Sequence, residues 1–165
     1  MNAILACDYK GGIGIDNKLP WTKKDAPGDL KFFKEVTENK ILIMGSKTWD
    51  SLPFKPLKNR INVILTSKPL KYVKYKKESN VIIFTNKDSL IDFIDSKNPE
   101  DIFVIGGSQI IDLLISKINI IYLTILKNVF KCDTYISLSY YINNFNYEVI
   151  ENSDFLTKLI FTKKN

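Results

Sequence analysis

Short apolar runs rich in β-branched side chains punctuate the chain at Ala3–Cys7, Ile41–Met44, Ile61–Leu65, Val81–Phe84, Ile102–Ile105 and Ile118–Leu126. Their length and near-continuous apolar character predict strands covered on both faces. Between several of them, apolar residues recur at helical spacing. These are Leu30, Phe33 and Val36; Leu90, Ile91, Phe93 and Ile94 after an expected cap at Asp88; and Ile110, Ile111, Leu113 and Leu114 after Ser108. Strands alternating with helices imply an α/β fold whose sheet is largely parallel. The last third has a different rhythm. Tyr135–Tyr141, Tyr147–Ile150 and Leu156–Phe161 read as strands without intervening helices, with Glu151–Asp154 as a turn. An antiparallel hairpin should therefore close one edge and make the sheet mixed. No repeat, low-complexity segment or linker divides the chain, so residues 1–165 are expected to form one domain.

Composition narrows the chemistry. Hydrophobic residues at 45% and charged residues at 25% match an ordinary globular domain and argue against disorder. There is no histidine, which excludes a catalytic imidazole and any His-ligated metal. Cys7 and Cys132, far apart in sequence, exclude a zinc cluster and leave a disulfide framework little to build on. The opening apolar run meets Asp8 too soon for a signal peptide or membrane span, so a cytoplasmic protein is expected. The formal charge of +6 raises the question of nucleic acid, above all at Lys68–Lys77, where lysines and tyrosines interleave. Acidic residues spread along the chain, and arginine is absent from this run. The stretch is therefore read as a solvated loop.

Four local patterns bear on ligands. Gly11-Gly12-Ile13-Gly14 fails the dinucleotide fingerprint: no third glycine falls at the required place, and Asn17-Lys18-Leu19-Pro20-Trp21 does not begin a helix. It is either an ordinary glycine turn or a mobile loop over a ligand, returned by Pro20-Trp21. Gly45-Ser46-Lys47-Thr48 lacks the remaining glycines of a phosphate loop, which argues against a nucleotide triphosphatase. Yet Gly45 follows one strand and Gly106-Gly107-Ser108 another, and two strand–glycine–helix junctions on parallel strands fall on one sheet edge. Such junctions favour an anionic, diphosphate-bearing ligand. In Pro27-Gly28-Asp29-Leu30-Lys31-Phe32-Phe33, a helix starting near Pro27 puts Asp29 and Phe33 on one face. Asp29 then either complements the helix dipole or points with the aromatic ring into a pocket. Arg60, the sole arginine, offers a planar fork for a carboxylate that lysine cannot imitate.

In sequence order, several segments are similar to the dihydrofolate reductase family: Ile4-Leu5-Ala6, Gly12-Ile13-Gly14 through Asn17-Lys18-Leu19-Pro20-Trp21, Asp29-Leu30-Lys31-Phe32-Phe33-Lys34, and Ile43-Met44-Gly45-Ser46-Lys47-Thr48-Trp49. The resemblance continues through Leu65-Thr66-Ser67, Val104-Ile105-Gly106-Gly107-Ser108, Tyr122-Leu123-Thr124 and Asp133-Thr134-Tyr135, reaching about Phe161. It implies a mixed, mostly parallel eight-stranded sheet flanked by about four helices, with a C-terminal antiparallel hairpin. It also implies reduction of 7,8-dihydrofolate to tetrahydrofolate for one-carbon metabolism: hydride passes from C4 of NADPH to C6 of the pterin, and N5 is protonated.

The same resemblance implies the site. Asp29 is the pterin carboxylate, with Leu19, Trp21 and Thr124 completing the catalytic set. Ile4 and Ile105 offer backbone carbonyls, Leu5, Ala6, Leu30, Phe33, Leu52 and Leu57 form apolar walls, and Arg60 clamps the substrate's glutamate α-carboxylate. On the cofactor side, Gly45, Lys47, Thr48, Gly106, Gly107, Ser108 and Gln109 surround the pyrophosphate, the Gly106–Gly107 peptide being cis, and Ser46 stands beside the adenosine 2′-phosphate. Thr66, Ser67 and Lys68 surround the adenosine 2′-phosphate. The Gly11–Leu19 lid, through Ile13, Gly14, Asn17 and Leu19, covers the nicotinamide; Ala6, Leu65, Ile105, Ile110, Ile111 and Thr134 complete the cofactor set. Dihydrofolate and antifolate inhibitors are the implied small-molecule partners, with no nucleic acid, membrane or metal, in a monomer.

Three positions depart from the family pattern. Ser46 stands where many relatives carry a basic residue, which leaves the preference for NADPH to Lys47 and Lys68; Ile111 stands where an aromatic is common; Cys132 replaces a glycine before Asp133-Thr134. The alternative is a related pyrimidine reductase of the riboflavin pathway. Asp29-Leu30-x-x-Phe33 and Arg60 argue against it, because they match a pterin with a glutamate tail. A basic nucleic-acid-binding module, the third reading, predicts salt-sensitive binding and no NADPH oxidation.

Overall fold

The computed structural model describes residues 1–165. Strands β1 (Asn2–Cys7), β3 (Ile41–Gly45), β4 (Ile61–Leu65), β5 (Val81–Phe84), β6 (Ile102–Gly106), β7 (Ile120–Leu126), β9 (Phe145–Asn152) and β10 (Leu156–Lys163) form one eight-stranded sheet. Its order is β5-β4-β3-β6-β1-β7-β10-β9. All pairs from β5 through β7 are parallel, and β10 runs antiparallel to both β7 and β9. The expected mixed, mostly parallel sheet is thus found, with its terminal hairpin on one edge.

Alternation along the central strands explains their all-apolar sequence. In β3, Ile41 and Ile43 join one core layer while Leu42 and Met44 join the other; in β1, Ala3 and Leu5 face the first and Ile4 the second. The first layer is closed by α3 (Lys87–Asp95), α4 (Ser108–Leu114) and α5 (Leu138–Asn144) through Leu90, Ile94, Ile110, Leu114 and Tyr141. The second is closed by α1 (Asp29–Thr37), α2 (Ser46–Ser51) and a 3-10 helix at Pro69–Tyr75. Each large side chain buried here contributes about 1.5–3 kcal/mol. Trp49 is the bulkiest fully buried one, and Tyr75 meets its ring edge-on at 4.9 Å between centroids.

Several expectations are corrected. The stretch Tyr135–Tyr141 is no single strand: β8 is only Thr134–Tyr135, and α5 follows, capped by the Ser137 hydroxyl, which accepts from Tyr140 N. The tyrosines and isoleucine there resemble a strand by composition, but Tyr141 is needed on the core, where it meets Phe145 and Phe161 edge-on. The α-helices therefore number five. The cap of α3 is Asn86, whose side chain accepts from Ser89 N; Asp88 lies in the first turn. Glu151 and Asn152 remain in β9, opposite Lys158 and Thr157, so the hairpin turns through Ser153–Phe155. The stretch Lys68–Lys77 is largely helical, with Tyr72 buried and its hydroxyl donating to Asp50. Its aromatics are core anchors, and its lysines face solvent together with Leu70 and Val73.

A second, two-stranded sheet pairs β2 (Gly12–Gly14) with β8 antiparallel. Gly12 is required there for space. A Cβ on it would stand 2.4 Å from Cys132 Sγ and 2.8 Å from Cys132 Cβ. No helix is long and apolar enough to cross a membrane.

Candidate active site

The C-terminal ends of β1, β3, β4, β5 and β6 lie on one edge of the sheet, where open α/β sheets hold ligands. A cleft of about 1020 Å³ occupies this edge. Ile4, Leu5 and Ala6 of β1 form its floor, α1 forms one wall, and the glycine junctions after β3 and β6 form the other.

On the α1 wall, Gly28 adopts φ 82° as N-cap and lets the chain turn so that Asp29 opens the helix. Asp29, Leu30 and Phe33 line the cleft, with Asp29 and Phe33 one turn apart on one face as expected. Burial against this apolar wall pushes the Asp29 carboxyl above its ordinary range; the Thr124 hydroxyl and the Lys158 ammonium behind it act in the other direction. Asp29 is the one acidic residue on this wall.

The opposite wall suits a phosphate-bearing ligand. Gly45 precedes α2 and Gly107 precedes α4, and neither helix has a side-chain cap, whereas α3 and α5 are capped by Asn86 and Ser137. The first-turn N–H groups of α2 and α4 therefore keep their donor capacity beside the cleft. The Gly106–Gly107 peptide is cis, as expected, and Gly106 has φ 119°. Added Cβ atoms at Gly106 and Gly107 would stand 3.6 and 3.7 Å from Thr48 Oγ1, and one at Gly45 would stand 4.0 Å from Gly107 N. The two junctions thus face each other closely, and side chains there would fill the groove. Thr66 is buried at the end of β4, and its hydroxyl accepts from Lys68 N. Backbone donors, hydroxyls and the cations Lys47 and Lys87 make this wall fit a dinucleotide's phosphates.

Ile13, Gly14, Asn17 and Leu19 bring the lid over the cleft. It is tied down at its start and near its middle. Asp133 Oδ2 accepts from Asp16 N at 2.9 Å, while Asp8, wholly buried after β1, accepts from Lys10 N, Gly12 N and Phe130 N at 2.8–2.9 Å. Burial pushes the Asp8 carboxyl up, but the three backbone donors and the Cys132 thiol together outweigh it and hold it below its ordinary range.

Most of the expected residues converge here, and six do not line the cleft. Trp21 is buried beside Phe130, with ring centroids 5.8 Å apart, and Thr124 is buried behind Asp29. Leu57 packs against the second core layer and Ile111 into the first. Lys68 lies outside; Lys87, not singled out from the sequence, takes a place on the phosphate wall. Arg60 is buried at the C-terminal end of α1: Nη1 donates to Lys58 O at 2.7 Å, Nη2 to Lys34 O at 3.1 Å, and Nε and Nη2 to Thr37 Oγ1 at 3.3 Å. Its Nη2 also pairs with Glu38 Oε2 at 3.4 Å. Thr85, Asn86 and Lys87 were legible in principle, because β5 is parallel to β4 and its C-terminal end must share the edge.

Comparison with known proteins agrees with this geometry. The family model for dihydrofolate reductase matches residues 1–158. Dihydrofolate reductase type 8 of Escherichia coli is 34% identical over 99% of this chain and 96% of its own length. Dihydrofolate reductase of Ureaplasma parvum serovar 3 is 36% identical over 82% of this chain and 80% of its own. Among solved structures, dihydrofolate reductase from Enterococcus faecalis complexed with NADP(H) and RAB-propyl superposes with a TM-score of 0.79 at 26% identity, covering 99% of this chain and 96% of that one.

Proposed function

This chain belongs to the dihydrofolate reductase family, and from that premise we propose how its cleft divides the work of an NADPH-dependent reduction of 7,8-dihydrofolate to tetrahydrofolate. The observation that carries the reading is a half-buried carboxylate, Asp29, on one wall of a cleft whose other wall is built from two facing glycine junctions. When bound, NADPH supplies hydride from its nicotinamide C4 to pterin C6.

The protein orients, shields and polarises. Asp29 accepts hydrogen bonds from the pterin N3–H and 2-amino group and stabilises positive charge developing on the ring, while water carries the proton to N5. Its elevated affinity for a proton marks a carboxylate held in an apolar wall, where a charged hydrogen bond to substrate is strongest. Thr124 holds the carboxylate from behind, and Trp21 closes the base of the same corner beneath the lid. Ile4 and Ile105 present carbonyls at the two ring systems. Leu5, Ala6, Leu30, Phe33 and Leu52 exclude water from between them; Leu57 backs that wall.

Gly45, Lys47, Thr48 and Gly106 through Gln109 hold the pyrophosphate, with Ser46 toward the 2′-phosphate. Thr66, Ser67 and Lys87 face the 2′-phosphate, with Lys68 at its margin. Closure of the lid through Ile13, Gly14, Asn17 and Leu19, with Thr134 beneath, keeps bulk water from the nicotinamide. Arg60 clamps the α-carboxylate of the glutamate tail by exchanging Glu38 for it. Antifolates that present the pterin's donor pattern occupy the Asp29 end. The reading is of a cytoplasmic monomer without nucleic acid, the last supported by Tyr72 and Tyr75 being turned inward from the lysine-rich run.

The test follows NADPH oxidation with dihydrofolate for the parent protein and Asp29→Asn. The parent turns over, and Asp29→Asn loses about 10²–10³-fold in kcat/KM. A parent that leaves NADPH unoxidised, or an Asp29→Asn variant of full activity, overturns the reading.

A further inference from the structure

Strand β10 carries an anomaly on the face it turns toward α1. Leu156, Lys158 and Ile160 share that face by alternation, and its neighbour Leu126 on β7 is wholly apolar and buried. Lys158 is nevertheless buried, with its side chain only 8% exposed. A lysine seldom sits so deep without a reason.

Its surroundings supply one. Lys158 pairs in register with Thr124 of β7, the residue whose hydroxyl favours the charged form of Asp29. Its ammonium lies 4.8 Å from the centre of the Phe32 ring, over which the cation is favoured, and 3.9 Å from the point a Cβ on Gly28 would occupy. Gly28 and Phe32 bracket Asp29 on the first turn of α1. From β9, Glu151 Oε2 accepts from Lys158 Nζ at 2.7 Å, and its own side chain is 46% exposed. Charged groups that flank Asp29 in the sequence are engaged elsewhere. Asp25 accepts from Thr22 N and Oγ1, and Lys31 pairs with Glu35 on the solvent face of α1.

We propose that Lys158 is a positioning residue for the reaction: its buried ammonium, beneath the first turn of α1, supplies the positive field that keeps the Asp29 carboxylate charged and directed at the pterin. The inference rests on Asp29 being the pterin carboxylate. Glu151 then sets the strength of that field by neutralising part of the cation from the exposed edge of the sheet. Lys158 touches neither substrate nor cofactor; it acts through Asp29.

The two partners give opposite signs, which a packing defect cannot imitate. Protein labelled at the aspartate carboxyl carbon is titrated by 13C NMR, with the Asp29 resonance assigned by its loss in Asp29→Asn. Lys158→Met, an apolar replacement of similar length, moves the Asp29 midpoint to higher pH. Glu151→Gln, on the exposed side of the pair, leaves the cation unopposed and moves it to lower pH. Lys158→Arg restores the parental midpoint. In turnover assays, the loss of kcat/KM for dihydrofolate in Lys158→Met follows the shifted midpoint, and the KM for NADPH is unchanged. An unmoved midpoint in Lys158→Met, or shifts of the same sign in Lys158→Met and Glu151→Gln, overturns the proposal. Full turnover by Asp29→Asn overturns the functional reading instead, and is seen in a separate assay.

Discussion

Replacing Asp8 by Asn tests whether one buried carboxylate fastens the lid. Asp8 Oδ1 accepts from Lys10 N and Gly12 N, and Oδ2 from Phe130 N and, more weakly, from the Cys132 thiol at 3.8 Å. Asparagine is nearly isosteric and can keep both bonds at Oδ1. Its Nδ2 amide, however, faces the Phe130 N–H donor to donor. One charge-assisted bond is lost and one buried donor is stranded, a combined cost of about 3 kcal/mol. For a chain of this size each kcal/mol lowers Tm by about 2–4 °C, so Asp8→Asn should melt about 6–12 °C below the parent at pH 7. Asp8→Ala, which strands all three donors, should melt lower still.

The pH dependence fixes the sign. The folded-state pKa of Asp8 lies below its ordinary value of 3.8, so its stabilisation is fully present above that value and is lost as pH falls toward the folded pKa. The gap between parent and Asp8→Asn should therefore close below about pH 4. Thermal unfolding followed by circular dichroism across pH 2.5–7 reads both quantities, on the order of one scan per condition. A parent and Asp8→Asn within about 0.5 kcal/mol of each other at pH 7 would refute the reasoning.

Asp29 has the opposite linkage. Its folded-state pKa is raised by burial, so its charge destabilises the ligand-free fold once pH exceeds the ordinary 3.8. Asp29→Asn should accordingly melt above the parent at pH 7 while losing turnover, and a lower Tm would contradict this. At Arg60, Glu38→Gln should lower the KM for dihydrofolate a few-fold, on the order of the 1 kcal/mol that an ion pair of this exposure contributes, and leave tail-less pteridine analogues unaffected. Arg60→Lys should raise the KM for dihydrofolate and not for those analogues; equal losses for both would mark Arg60 as purely structural. Lys87→Gln should raise the KM for NADPH more than for NADH, the gap narrowing at high salt. An equal effect on both cofactors would remove Lys87 from the 2′-phosphate.

What the sequence revealed depended on whether a residue's role was written in its own neighbourhood. Strands buried on both faces need continuous apolar runs, so β3, β4 and β6 stand out unaided, and the glycines that end β3 and β6 mark the ligand edge. Segment α5 escaped because Tyr140, Tyr141 and Ile142 are strand formers by propensity, and only packing against Phe145 and Phe161 makes them helical. Lys87 and Lys158 escaped for another reason. Among so many lysines, nothing local distinguishes one at a cleft or one buried under a carboxylate from those on the surface. Arg60 was conspicuous for its rarity, yet its bonds to Lys34, Thr37 and Lys58 depend on where α1 ends.

The contact between Gly12 and Cys132 restricts the order in which this chain can change over generations. With Cys132 present, any side chain at position 12 collides with its sulfur, at a cost of about 1–3 kcal/mol. A lineage that first shortens Cys132 to glycine removes that collision and leaves a Cβ at position 12 only the tighter contact with Asp8, 3.2 Å from its Cγ. A lineage that changes Gly12 first must pass through a weakened protein. The two positions, 120 apart in the chain, are thus coupled in one direction: a side chain at position 12 is penalised while Cys132 stands and far less once it is shortened.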